Sequence, residues 1–123
     1  MNDADLIELQ KKKARLIAGM TDYMHSGGDD FNPGYTEDDI QKCDMILRDF
    51  IDDLQKLAPA PIGAEILNCA KAAVLKLNKL NKDVGGGLIE TDQREDLCDY
   101  IQFAAEKSGL KTEGDITEEW REW

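Results

Sequence analysis

The sequence predicts an all-α protein, an up-down antiparallel four-helix bundle with a short fifth helix at its C-terminal end. Apolar residues recur at spacings of three and four through four long segments, and no stretch alternates as a half-buried strand would. The segments are separated by "SGG", "APAP" and "GGG", short breakers that make successive helices antiparallel neighbours. With 123 residues, 41% of them apolar and 33% charged, the chain fits one domain, 1–123, with one core.

The first helix is predicted over about 3–25, with Asn2 as N-cap, Asp3 and Asp5 near its positive end, and "SGG" at 26–28 as the stop. Leu6, Leu9, Leu16, Ile17, Met20 and Met24 share one side. Lys13 falls within that stripe. Its stem is expected to pack on Leu9 and Leu16 with the ammonium in water, in preference to a buried ion pair.

"YTEDDI" at 35–40 opens the second helix, predicted over about 37–57. Thr36 caps it, Asp39 reaches back as a variant capping box, and Tyr35 and Ile40 occupy the two positions of a hydrophobic staple. Its inner face carries Ile40, Cys43, Ile46, Leu47, Phe50, Leu54 and Leu57, which makes Cys43 a small core residue.

Prolines in "APAP" at 58–61 break that helix, and Pro61 begins a third over about 62–84. Ile66, Ala70, Ala73, Val74, Leu77 and Leu80 form its core side; Lys71, Lys76, Lys79 and Lys82 fall opposite. "GGG" at 85–87 ends it. A fourth helix is capped by Thr91 or Asp92, with Glu95 completing a box for Asp92, and stops near Ser108 and Gly109. In "DITEEWREW", Asp115 caps a short fifth helix whose apolar edge is Ile116, Trp120 and Trp123. Too short to be stable alone, it is expected to dock across its own bundle, with Trp120 closing one end of the core.

The formal charge of −11 disfavours nucleic acid and anionic membrane as partners and suits either a basic protein partner or solubility alone. It is unevenly spread: residues 1–25 are neutral and 61–84 carry +2, whereas 36–58 carry −4 and 90–123 carry −7. Some of this segregation matches charges at helix edges. The outward faces need another account.

Catalytic and cofactor chemistry has little material. His25 is the only histidine, Ser26 and Ser108 are the only serines, and Cys43, Cys69 and Cys98 lie on or beside predicted core faces without a CxxC pair. "DDFNPGYTEDDI" at 29–40 fails as a calcium loop, because Phe31 and Pro33 occupy ligand positions and Ile40 replaces the final glutamate. "GGG" lacks the lysine of a phosphate loop. The expectation is a non-enzymatic protein without cofactor or metal. With no apolar run approaching a membrane span and an acidic first segment in place of a secretory signal, a cytoplasmic setting is expected.

Two acidic strips with an apolar anchor are the candidate partner-binding residues. On the fourth helix Asp92, Glu95, Asp96, Asp99 and Glu106 cluster opposite the apolar stripe with Phe103 beside them; on the second, Asp38, Asp49 and Asp52 surround Met45. Charge steers encounter and the anchor supplies desolvated contact.

In architecture and charge the sequence resembles the helical bacterial immunity proteins that block DNase colicins. That resemblance implies an acidic helix masking a cognate toxin. "CDYI" offers Asp99 and Tyr100 for the family's acidic helix and tyrosine pair, but the second tyrosine is missing and the chain is longer. The expected function is therefore toxin neutralisation through acidic helix faces, with a basic, nuclease-type partner. The alternative is a homo-oligomeric or regulatory helical module in which Phe103, Met45 or the tryptophans bury against another subunit.

Overall fold

The computed structural model describes residues 1–27, 32–57, 59, 61–112 and 114–123. Among these, every regular element is a helix: α1 (Asp3–Met24), α2 (Glu37–Gln55), α3 (Gly63–Asp83) and α4 (Thr91–Lys107). Gly28 of the "SGG" stop, Ala58 and Ala60 of "APAP", and Asp29, Asp30 and Phe31 of the rejected calcium loop lie outside the described residues.

Capping chemistry sets the first two starts. Asn2 Oδ1 accepts from the Asp5 amide at 2.8 Å while the Asp5 carboxylate accepts from the Asn2 amide at 3.1 Å, so two donors that a helix start leaves unpaired are satisfied reciprocally. At α2 the Asp39 carboxylate accepts from both the amide and the hydroxyl of Thr36, at 2.9 and 3.2 Å. Both staple residues, Tyr35 and Ile40, are buried. The Tyr35 hydroxyl also donates to the Met20 carbonyl at 2.8 Å, and its ring stacks on Tyr23 at 6.4 Å between centroids, which ties the entry of α2 to the exit of α1.

α3 starts at Gly63, with Glu65 accepting from the Ile62 amide at 3.1 Å, and Pro61 stands just before it. It ends in a left-handed turn: Gly86, at φ +89°, donates its amide to the Asn81 carbonyl at 2.8 Å, a geometry a Cβ would strain. The expected cap of α4 is corrected. The helix starts at Thr91 behind Glu90, with no side-chain cap, because Leu88 and Ile89 are buried and the Asn81 side chain holds the Ile89 amide at 2.9 Å. That anchor turns the chain into the helix before Asp92 can cap it.

The helices pack as a sequential square. α2 lies closest to α3 and α1 to α4, α1–α2 and α3–α4 complete the circuit, and α3–α4 is the loosest side. Each buries one stripe: Leu9, Leu16 and Met20 from α1; Cys43, Leu47 and Phe50 from α2; Ile66, Val74 and Leu77 from α3; Leu97, Ile101 and Ala104 from α4. Phe50 and Tyr100 meet across the middle, 6.5 Å between centroids.

The predicted fifth helix is not formed. Residues 116–120 make turns only, with the Trp120 and Arg121 amides both donating to the Thr117 carbonyl. The bundle takes the Glu122 amide, which a helix would pair with the Glu118 carbonyl, together with two groups near the ends of the segment that so short a helix leaves open. Asn78 Nδ2 donates to the Trp120 carbonyl at 2.8 Å, Asn78 Oδ1 accepts from the Glu122 amide at 3.0 Å, and Gln102 Oε1 accepts from the Ile116 amide at 3.1 Å. The tail therefore lies along the α3–α4 seam instead of across an end of the core, with Thr117 fully buried and both tryptophans half-buried.

Candidate functional site

The ten candidate residues fall into two groups on opposite sides of the bundle, because α2 and α4 are diagonal partners. No single flat surface spans both strips.

On α4, the helix edges use part of the strip. Lys12 Nζ lies 2.6 Å from Asp99 Oδ2, and an Arg15 guanidinium nitrogen lies 3.5 Å from Asp96 Oδ1, so α1 neutralises two of the five acids. Phe103 is half-buried with Lys12 and Lys107 over its ring, at 5.0 and 5.5 Å from the centroid. It serves the α1–α4 seam as a cation–π platform more than it serves as a free anchor. Asp92, Glu95 and Glu106 stay exposed, and Asp99 keeps 61% of its side chain in solvent despite its partner.

The docked tail enlarges this side. Exposed Glu118 and Glu119 follow Asp115 in the tail, Glu122 lies over the end of α3, and Asp99, Glu106 and Asp115 share the lining of a shallow cleft of about 370 Å³ with Cys98, Gln102 and Gly114. Asp115 organises the tail. Its carboxylate accepts from the amide and hydroxyl of Thr117, at 2.8 and 2.6 Å, and from Arg121 at 3.3 Å. Burial raises the Asp115 pKa, but the two Thr117 hydrogen bonds and Arg121 together outweigh it, so the carboxyl titrates below its usual value. Three carboxylates thus line one cleft, of which Asp99 and Asp115 already meet cations of the chain, Lys12 and Arg121, and Glu106 does not.

On α2, the acids are unpaired. Asp38, Asp49 and Asp52 are exposed and none forms an ion pair among the described residues, while Met45 is 59% exposed. Met45 also lines a groove of about 580 Å³ between α2 and α3, floored by Ile46, Leu80 and Val84 and edged by Lys42, Lys76 and Lys79.

Lys13 departs from its expected place. Its Nζ lies 3.0 Å from Asp44 Oδ1 with each side chain 22% exposed, a half-buried pair that joins α1 to α2. Tyr100 lies inside the core at 3% exposure, so the tyrosine that the immunity-protein resemblance brought forward is not on the outward face.

The cysteines are poor nucleophiles. Burial, aided by Asp44, pushes the Cys43 thiol up to about 12; Cys69 and Cys98 are also raised, chiefly by burial. Among the described residues no three His, Cys, Asp or Glu side chains converge as metal ligands. No helix is long and apolar enough to cross a membrane.

Sequence reasoning missed two contributors. The tail acids join the α4 strip only because a turn segment, not a helix, is laid along the seam; Asn78 and Gln102, ordinary polar residues on their helices, gave no signal of that role. The lysines of α3 were legible as the one basic face, but their juxtaposition with Met45 depends on the α2–α3 packing. Comparison with known protein families, characterised proteins and solved structures finds no match.

Proposed function

We propose that the protein is a non-enzymatic binding protein that neutralises a basic protein toxin, of the nuclease type, by masking it with the acidic surface of α4 and the docked tail. The observation that carries this reading is the three-carboxylate cleft of Asp99, Glu106 and Asp115, flanked by exposed Glu95, Glu118 and Glu119. A cationic side chain of the partner enters the cleft, and the surrounding acids steer the encounter.

The test is calorimetry and co-purification with the product of the gene adjacent to its own, together with rescue of cells expressing that product. A tight, salt-sensitive complex that Glu106→Lys slows about tenfold in association supports the reading. A neighbour that is neither toxic nor bound removes it.

A further inference from the structure

The α2–α3 side differs from the rest of this strongly acidic molecule. On its outward surface Asp38, Asp49, Asp53, Glu65 and Asp83 stand against Lys42, Lys56, Lys76 and Lys79, so it carries little of the −11 of the chain as a whole. Self-association meets the least charge repulsion here. Two of the five large apolar side chains that are exposed among the described residues stand here, Met45 at 59% and Leu75 at 47%, and Met45 lines the groove floored by Ile46, Leu80 and Val84.

We propose that this face pairs with a second copy of the chain, two helices on two, about a twofold axis parallel to the helices. The charges select that axis. Asp38 and Asp49 are free on α2, and Lys76 and Lys79 lie on α3, with Lys79 only lightly held by Asp83 in an exposed pair at 2.7 Å. A twofold axis along the helices lays α2 of each copy on α3 of the other, whereas an axis across them would stack α2 on α2 and set Asp49 near Asp49.

Register follows from the groove. Met45 lines it together with Lys76 and Lys79, so these residues stand at one height in the bundle, and rotation about an axis parallel to the helices preserves height. Asp49, one turn along α2 from Met45, arrives within side-chain reach of Lys76 of the other copy. By helical spacing Met45 leans to the outer side of α2 and Leu75 to the outer side of α3, so the same rotation brings Met45 of one copy against Leu75 of the other, twice. Helices about 30 Å long in a two-helix layer about 20 Å wide bury roughly 1,200 Å² in total, the lower end for a specific interface. A reversible dimer in the micromolar range is expected.

This pairing is independent of the toxin-neutralising reading, since it leaves α4 and the tail outward. Sedimentation velocity on the full chain across the micromolar range should show a species of twice the 13.8 kDa chain mass growing with concentration. Asp49→Lys and Lys76→Asp should each weaken the dimer at least tenfold, and the double variant, which exchanges the charges across the interface, should return it to within about threefold. The two residues are not paired within one chain, so rescue reports contact between copies. Circular dichroism checks that these exposed substitutions leave the helices intact, and Met45→Glu supplies a second disruption that does not rest on the charge pair. A chain that stays monomeric at several hundred micromolar overturns the proposal. So does a dimer indifferent to Asp49→Lys and Met45→Glu, or one that the double variant fails to restore.

Discussion

Asn78 grips the tail at Trp120 and Glu122 as a backbone would: one side-chain amide donates to the Trp120 carbonyl and accepts from the Glu122 amide, at 2.8 and 3.0 Å. Asn78 is 7% exposed, so Asn78→Ala removes two hydrogen bonds and leaves partly buried backbone groups unpaired. The cost is about 1–3 kcal/mol, seen as a fall of several degrees in Tm. Both tryptophans of the chain lie in the tail, so their fluorescence should shift to the red in the same variant. A variant with unchanged Tm and unchanged emission would show that the clamp does not hold the tail.

Asp115 makes that docking sensitive to acid. A carboxyl whose folded pKa is depressed contributes stability that is fully present above its unfolded pKa and is lost as pH falls through the folded value. Tryptophan emission should therefore be constant at neutral pH and move red as the pH drops below the ordinary carboxylate range. Asp115→Asn should dock less firmly at neutral pH and lose this part of the acid transition. An acid titration of emission that is identical in the two proteins would assign the transition to other groups.

Lys13 and Asp44 test how far a half-buried pair holds α1 on α2. Asp44→Ala strands the Lys13 ammonium beside the core and should cost about 1–2 kcal/mol, between the values for exposed and fully buried pairs. Lys13→Met removes the charge that needs a partner, so Lys13→Met with Asp44→Leu should recover most of the loss. Chemical denaturation of the three variants measures both. A single Asp44→Ala effect within experimental error of zero would place the pair in solvent.

These outcomes bear on what a sequence can carry. The four helices were legible because each announces itself locally: Asn2 with Asp5, Thr36 with Asp39, and apolar stripes that the core then buries. The tail was misread for an equally local reason. Ile116, Trp120 and Trp123 have helical spacing, but Thr117 between them is the residue the bundle buries, and Asn78 from a remote segment claims the Glu122 amide that a helix would have kept. Asp92 failed as a cap in the same way, through Asn81 acting on Ile89. Lys13 looked solvated because its partner Asp44 stands 31 positions away, where no helical spacing can reveal it. Of the ten surface candidates eight are exposed, but helical spacing could not say that Phe103 and Asp96 are half-buried at the α1–α4 seam or that Arg15 and Lys12 attend Asp96 and Asp99.

That last point decides which charges report on partner binding. Reversal of Asp96 or Asp99 breaks contacts with Arg15 and Lys12, so any loss of affinity would mix a loosened α1–α4 seam with lost steering. Glu95 is exposed and without an ion pair among the described residues, and Glu106 is held only by Gln102 on its own helix at 3.0 Å. Glu95→Lys with Glu106→Lys should leave the stability within about 1 kcal/mol of the parent. The pair should lower the association rate with a basic partner about tenfold or more at low salt, with the gap closing as ionic strength rises. Stopped-flow association over a salt series measures this. Parallel salt dependences for variant and parent would move the encounter surface away from α4.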